Sequence, residues 1–223
     1  MSFVGGVGYS NIDLIYSGLD RLPDKGEEIF ARGFSMQFGG GIPATMINLS
    51  RLGVESRIIT FAGHDLFSEF VKKTLNSYPV KTVNLYKGNK MPVVLSSTLL
   101  YCGDRSFISY TDGMDLNDAV MDEVYENLKG AYVVDMHVGF LDVYKRLKKD
   151  GCIQIFDTGW EDDLTLEKYK DYLEIADYYI PNQKEAMKIT GTSSVEEAAD
   201  ILSEFFSDVT IKMDKEGCLL KNK

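Results

Sequence analysis

The residues best suited to binding a small polyhydroxylated molecule are Asn11 and Asp13, which follow a first strand predicted over Ser2 to Gly8. An ionised carboxylate can accept hydrogen bonds from two hydroxyl groups, and an Asn amide adds one donating and one accepting group. The alternative is a turn in which both side chains bond their own backbone. The pair therefore predicts a hydroxyl-binding site, with a structural turn as the open alternative.

Three consecutive glycines, Gly39, Gly40 and Gly41, run into a predicted helix that ends before Gly53. Glycines let a ligand lie against bare backbone, and the start of a helix presents unpaired N–H donors. Pro43 suits the first helical position, where its missing N–H costs nothing. This segment is interpreted as a second part of the binding site, although a tight strand-to-helix turn without a ligand explains it equally well.

Other polar residues stand at the predicted carboxyl ends of later strands: Asp135, His137, Asp157 and Asn182. In an open parallel sheet, ligands bind outside the carboxyl ends of the strands. We therefore expect these residues to gather with Asn11 and Asp13 along one edge. His137 could contact the substrate or act as a base, whereas a lone histidine is also common as a structural residue.

Asn182 and Glu185 are spaced as a helix-capping pair, with an Asn at the N-cap and a Glu three residues later. The functional alternative places both residues near hydrated Mg²⁺ and nucleotide phosphates, because Mg²⁺ keeps several waters and needs few carboxylates. The two interpretations are compatible with each other.

The composition excludes several classes of protein. The 223 residues carry 24 Lys and Arg against 34 Asp and Glu, a formal net charge of −10. Dedicated nucleic-acid binding and anionic-membrane binding need clustered cations, so neither is expected. Cys102, Cys152 and Cys218 are too far apart for a metal or disulfide framework, and no signal peptide or membrane-spanning run is visible. A cytoplasmic protein is predicted.

The predicted elements indicate an α/β fold. From Asn117 onward, strands alternate with helices, which predicts a mainly parallel sheet with helices on both faces. The extended segments within about 14–38 and 91–111 lack intervening helices, so they are expected to pair as a small separate β-sheet. Exposed strand edges can pair with a second chain, and these segments are the candidates.

Two nucleotide-binding motifs are excluded. In the segment from Gly6 to Asn11, Asn11 stands where a dinucleotide fingerprint needs its third glycine or alanine, and no clean helix follows. The sequence also lacks the Gly-x-x-x-x-Gly-Lys-Ser/Thr loop of P-loop enzymes. A Rossmann dehydrogenase and a P-loop enzyme are both disfavoured.

Five motifs, taken in order, resemble the PfkB or ribokinase-like family of carbohydrate kinases along all 223 residues. They are Asn11-x-Asp13, Gly39-Gly40-Gly41 through Arg51-Leu52-Gly53, Gly63-His64-Asp65, Pro181-Asn182-x-x-Glu185, and Val209 to Gly217 with Lys212. The resemblance implies a ribokinase-like α/β domain over 1–223, with a small β lid formed by the segments within 14–38 and 91–111.

The resemblance also implies an activity, namely transfer of the γ-phosphoryl group of ATP to a sugar hydroxyl with Mg²⁺. It implies sugar contacts at Asn11, Asp13 and the three glycines, to which we add His137 as a substrate candidate. Asn182, Glu185 and Lys212 would serve the nucleotide, with Glu185 serving Mg²⁺. A homodimer through the lid is expected.

Two departures qualify this prediction. Ala44 stands where the family usually has an Asn that touches the sugar, so the sugar is left open. The sequence also contains no Asp-Thr-x-Gly-Ala-Gly-Asp segment, whose last Asp is the family's catalytic base. That base is expected beyond Lys223, so negligible activity is predicted for these 223 residues. The alternative is a non-catalytic relative that binds a sugar or a partner.

Overall fold

The computed structural model describes residues 2–222. The described strands are β1 (Phe3–Val7), β2 (Asn11–Ser17), β3 (Gly33–Gly39), β4 (Ser56–Thr60), β5 (Lys81–Asn84), β6 (Val94–Tyr101), β7 (Asp104–Tyr110), β8 (Ala131–Met136), β9 (Ile153–Phe156), β10 (Tyr178–Tyr179), β11 (Asp208–Lys212) and β12 (Cys218–Asn222). The helices are α1 (Gly41–Arg51), α2 (Leu66–Leu75), α3 (Asp118–Leu128), α4 (Leu141–Lys149), α5 (Leu166–Ile175), α6 (Gln183–Thr190) and α7 (Val195–Leu202).

The chain divides into two compact units, each described separately below. One unit contains residues 7–116, and the other contains residues 1–6 together with 117–223. Among residues 2–222, no helix combines the length and the apolar character that crossing a membrane would require.

The unit of residues 1–6 and 117–223 contains a parallel sheet flanked by helices. Its strands lie in the order β10-β9-β8-β1, and every pair is parallel. The core of this unit is aromatic: Phe156 is fully buried and stacks on Tyr172 with ring centroids 5.1 Å apart. Strands β11 and β12 form an antiparallel hairpin. The alternation of strands and helices predicted from Asn117 onward is confirmed.

The unit of residues 7–116 contains a four-stranded sheet in the order β3-β2-β6-β7. Strand β2 pairs antiparallel with β3 and parallel with β6, while β6 and β7 form an antiparallel hairpin. The unit also contains the parallel pair β4 and β5, and α1 contacts β4. The expected small β-sheet is confirmed, and its strands are the ones given above.

Local predictions in this unit were wrong at three places. Asn11 and Asp13 lie inside β2, so the turn that was the open alternative for them is wrong. Residues 28–32 lie within the segment predicted to be extended over about 14–38, but they form no strand. Pro43 occupies the third position of α1 rather than the first. It still lies within the first four positions, whose N–H groups have no helical partner, so it interrupts no helical hydrogen bond.

Candidate functional site

Asp13 and Gly39 lie side by side in the four-stranded sheet. Asn11 faces Gly39 across the β2–β3 ladder, and Asp13 is two residues further along β2 on the same face. A Cβ atom placed on Gly39 would lie 2.7 Å from Asp13 Oδ2, closer than two such atoms tolerate. A larger residue at this position would force the Asp13 carboxylate to move.

Gly40 is required for a different reason. Its φ of 102° suits glycine, and a Cβ on it would lie 2.8 Å from the Tyr9 carbonyl oxygen. Gly41 has open space around its Cα and is the first residue of α1. The sequence-predicted group of Asn11, Asp13 and the glycines is thus brought together within one unit.

The Asp13 carboxylate is held by a neighbouring amide. Asn11 Nδ2 donates to Asp13 Oδ1 at 2.9 Å, and Ser96 Oγ donates to Asn11 Oδ1 at 3.2 Å. Partial burial raises the pKa of Asp13, while the Asn11 hydrogen bond and the Arg105 charge act in the opposite direction. The remaining oxygen, Oδ2, lies beside Gly39 and suits a ligand hydroxyl.

Asp65 belongs to the predicted Gly63-His64-Asp65 motif and caps α2. Its Oδ1 accepts from the backbone N–H groups of Phe67 and Ser68 at 3.0 and 2.9 Å. Burial alone would raise the pKa of Asp65, but these hydrogen bonds and one from the Ser68 hydroxyl lower it overall. The carboxylate is therefore occupied by the helix start.

A second polar cluster lies in the other unit, at the start of α6. Asn182 Oδ1 accepts from the Glu185 backbone N–H at 3.0 Å, and Glu185 Oε2 accepts from the Asn182 N–H at 2.8 Å. The predicted capping box is therefore present. Glu185 is only 5% exposed, and burial together with the Asp157 charge raises its pKa.

Lys212 joins this cluster through the end of β11. Its backbone N–H donates to the Pro181 carbonyl oxygen at 2.9 Å, which pairs the end of β11 with the chain entering α6. Its ammonium group lies 2.6 Å from Asp157 Oδ2, and Asp157 directly follows β9. Asn182, Glu185 and Lys212 are thus brought together, with Asp157 as the partner of the lysine.

The donor set of this cluster fits Mg²⁺ better than a transition metal. The described residues contain no group of three or more His, Cys, Asp or Glu side chains arranged to hold a metal. Mg²⁺ is commonly bound through one or two carboxylates with water completing its shell. Glu185 and Asp157 repel each other electrostatically, and a hydrated divalent cation near them would relieve that repulsion.

His137 follows β8 in a loop held by two buried tyrosines. Its backbone N–H donates to the Tyr144 hydroxyl at 2.8 Å, and the Gly139 N–H donates to the Tyr172 hydroxyl at 2.8 Å. Burial lowers the pKa of His137, which favours a neutral imidazole at neutral pH. Asp135 is the second-last residue of β8 and lies opposite Gly6.

Sequence reasoning missed Ser96 and Ser109, whose hydroxyl groups lie 2.8 Å apart beside Asn11. Nothing in the local sequence singles them out, because Ser96 and Asn11 are 85 residues apart. The signal that could have found Ser96 is the register of the parallel β2–β6 pairing, which places it opposite Asp13.

Comparison with known proteins points to one family. The profile described as pfkB family carbohydrate kinase matches residues 1–223. PH1459 of Pyrococcus horikoshii, whose name proposes a sugar kinase, is 35% identical over 92 residues. That match covers 39% of this chain and 30% of the relative, so it spans less than a third of the curated protein's length.

Solved structures share the fold at low identity. A ribokinase of Arabidopsis thaliana, solved with ribose and ATP, is 22% identical with a TM-score of 0.76, covering 100% of this chain and 76% of its own. A ribokinase of Giardia lamblia is 17% identical with a TM-score of 0.82, and the match covers 100% of this chain and 72% of the ribokinase. A ribokinase of Thermotoga maritima is 21% identical with a TM-score of 0.77, and the match covers 100% of this chain and 75% of the ribokinase. These likenesses establish a ribokinase-like fold.

Proposed function

Because the chain belongs to the pfkB family of carbohydrate kinases, we propose that it is an ATP-dependent sugar kinase. The reaction would form a bond between a sugar hydroxyl oxygen and the γ-phosphorus of ATP and break the bond from that phosphorus to ADP. The observation that carries the proposal is the Asp13 carboxylate beside Gly39, where a Cβ would lie 2.7 Å from Oδ2.

The sugar side of the proposal rests on Asn11, Asp13 and the glycines. Asp13 Oδ2 would accept from a sugar hydroxyl, and the close approach at Gly39 leaves bare backbone beside it. The exposed N-terminus of α1 at Gly41 offers further N–H donors. His137 belongs to the other unit and stays a predicted substrate contact.

The nucleotide side of the proposal rests on the cluster at α6. The Lys212 ammonium would attract phosphate oxygens, and Glu185 with Asp157 would hold hydrated Mg²⁺. Mg²⁺, when bound, neutralises charge on the transferred phosphoryl group. We assign no catalytic base among the described residues, so negligible phosphoryl transfer is expected from these 223 residues alone.

Titration calorimetry with ribose, fructose and adenosine, each with and without ATP and Mg²⁺, tests the proposal. We expect the unsubstituted 223-residue chain to bind ribose, fructose or adenosine with a millimolar or lower Kd, and we expect Asp13→Ala to lose that binding. Phosphorylated product from the 223 residues would overturn the prediction of negligible activity. Sugar binding that is indifferent to ATP and Mg²⁺ would favour a non-catalytic sugar-binding relative.

We propose further that two copies pair through the face of the four-stranded sheet opposite Asp13. Three apolar side chains on that face are exposed: Phe34 by 62%, Met36 by 40% and Ile108 by 71%. Contiguous exposed apolar groups of this kind commonly mark an interface. In this proposal the enzyme works in the cytoplasm, where thiols such as Cys102 stay reduced.

Sizing chromatography with light scattering tests the pairing. The natural chain is expected to elute at twice the mass of one chain, and the Phe34→Ser, Ile108→Ser double variant at the mass of one. Phe107→Ser is the matched control, because Phe107 is 54% exposed on the other face of the same sheet. A natural chain that is monomeric at all concentrations contradicts the proposal.

A further inference from the structure

Four polar side chains form one row across the four-stranded sheet. Gln37 in β3 faces Asp13 in β2, Asp13 faces Ser96 in β6, and Ser96 faces Ser109 in β7. Residues directly opposite in neighbouring strands project from the same face of a sheet. The row therefore places hydrogen-bonding groups on the face that carries the candidate sugar contact.

Three members of this face are joined to Asn11 in a continuous chain of hydrogen bonds. Ser109 Oγ and Ser96 Oγ lie 2.8 Å apart, Ser96 Oγ lies 3.2 Å from Asn11 Oδ1, and Asn11 Nδ2 lies 2.9 Å from Asp13 Oδ1. Ser96 is only 4% exposed, so its hydroxyl is bonded within this chain rather than to bulk water. The chain runs from an exposed strand to the carboxylate.

The chemistry of the end group sets the direction of every bond in this chain. An ionised carboxylate only accepts, so Asn11 must present its NH₂ group to Asp13. Asn11 Oδ1 then faces Ser96 and accepts the one hydrogen bond that the Ser96 hydroxyl can donate. Ser96 has no second proton to give, so the Ser109 hydroxyl must donate to Ser96.

As a result, this face of the sheet accepts hydrogen bonds at both ends of the hydrogen-bond chain, at Asp13 and at Ser109. Asp13 Oδ2 retains its lone pairs, and the Ser109 hydroxyl, which donates its hydrogen bond to Ser96, can only accept a further one. Ligand hydroxyls can donate to both groups, whereas a carboxylate or phosphate cannot. Lone pairs of a carboxylate facing Asp13 would meet repulsion instead of a hydrogen bond.

We propose that this one-directional chain selects a neutral polyol over the corresponding sugar acid, with Ser96 as the positioning residue that fixes the Asn11 amide. The proposal rests on the proposed sugar-binding function of Asp13 and specifies the substrate class of that site. Ser96 acts through Asn11 and need not touch the ligand.

Arg105 is the charged group that most directly opposes this selection. It pairs with Leu100 in β6, on the same face as Asp13, and its guanidinium lies 5.7 Å from the Phe107 ring centroid. Leu100 is four residues beyond Ser96, which corresponds to about 13 Å along a strand. The Arg105 charge favours the ionised form of Asp13. It would also attract an acidic ligand. Comparing the affinity for a neutral ligand with that for an acidic ligand therefore shows which of the two influences is stronger.

Calorimetric titration with ribose and ribonate, which share a carbon skeleton, tests the selection. We expect ribose to bind about tenfold or more tightly than ribonate, the effect of one exchanged hydrogen bond at its upper range. Ser96→Ala should narrow that ratio, whereas Ser97→Ala should preserve it. Ser97 is the matched control because it neighbours Ser96 and projects from the opposite face. Tighter binding of ribonate would overturn the proposal.

A second measurement needs no ligand. The titration midpoint of the Asp13 carboxyl carbon, followed by NMR, should rise in Ser96→Ala, because an unanchored Asn11 amide donates less well to the carboxylate. Ser96→Thr, which keeps a hydroxyl, should restore the midpoint, and Ser97→Ala should leave it unchanged. An unchanged midpoint in Ser96→Ala overturns the inference even where ribose binds. Absent sugar binding with a raised midpoint would instead count against the proposed function alone.

Discussion

The two polar clusters of this protein differ in how much of their hydrogen-bonding capacity the fold itself uses. At Asn182 and Glu185, both side chains are bonded to backbone N–H groups at the start of α6. At Asp13, one carboxylate oxygen is bonded to the Asn11 side chain, and the other lies beside Gly39. The first cluster builds a helix end, and the second supports a side chain that points toward a glycine.

This difference separates stability from binding. A capping residue satisfies backbone donors that would otherwise lack partners, so its removal destabilises the helix. Asp13 accepts a hydrogen bond from the side chain of Asn11, and burial raises the pKa of Asp13 because it disfavours the charged form. Substitutions in the two clusters should therefore affect different measured quantities.

The largest expected effect is on sugar binding by Asp13→Ala. Loss of the hydrogen bond from the sugar hydroxyl to a charged acceptor should weaken binding up to about a hundredfold, while the free energy of unfolding should change by no more than about 0.5 kcal/mol. Calorimetry and urea unfolding measure the two quantities. Asp13→Asn serves as the control that keeps the shape and removes the charge. Unchanged affinity in Asp13→Ala would remove the basis for the contrast.

A smaller effect is expected from Asn182→Ala, which removes the N-cap of α6. The free energy of unfolding should fall by about 1 kcal/mol. Asn182→Asp should retain most of that stability, because Asp is an equally good N-cap. Urea unfolding at neutral pH measures both variants. An unchanged free energy of unfolding in Asn182→Ala would show that the capping box does not stabilise the fold. The contrast with Asp13 would then disappear.

The smallest effect is a pH dependence at Glu185. Its pKa in the folded protein is raised above the ordinary value by burial, so its stabilising contribution is present in acid and is lost as pH rises through the folded pKa. The free energy of unfolding of Glu185→Gln, relative to the natural chain, should therefore increase from acid to neutral pH.

Urea unfolding of both chains across the acid range gives this comparison, with Glu196→Gln on the exposed side of α7 as the control. A difference that stays constant with pH, or that falls toward neutral pH, would contradict the assigned burial of Glu185.

Features formed by residues close together in the sequence were predicted better than features that depend on residues far apart. The Asn182 capping box was predicted correctly, because it is formed within three residues of sequence. Residues 28–32 belong to the segment predicted to be extended but form no strand, since strand formation depends on a pairing partner that local sequence does not reveal. Asn11 and Asp13 were recognised as polar site candidates, but the extended segment was predicted to begin at about residue 14, after both of them.

The sequence by itself determined the alternation of strands and helices, the helix caps and the polar residue types, because those depend on local propensity and spacing. Tertiary structure alone decided that Ser96 lies opposite Asp13, that Gly39 makes room for the carboxylate, and that Lys212 meets Asp157. These contacts join residues that are distant along the chain, and their register is fixed by strand pairing and side-chain packing rather than by any local pattern.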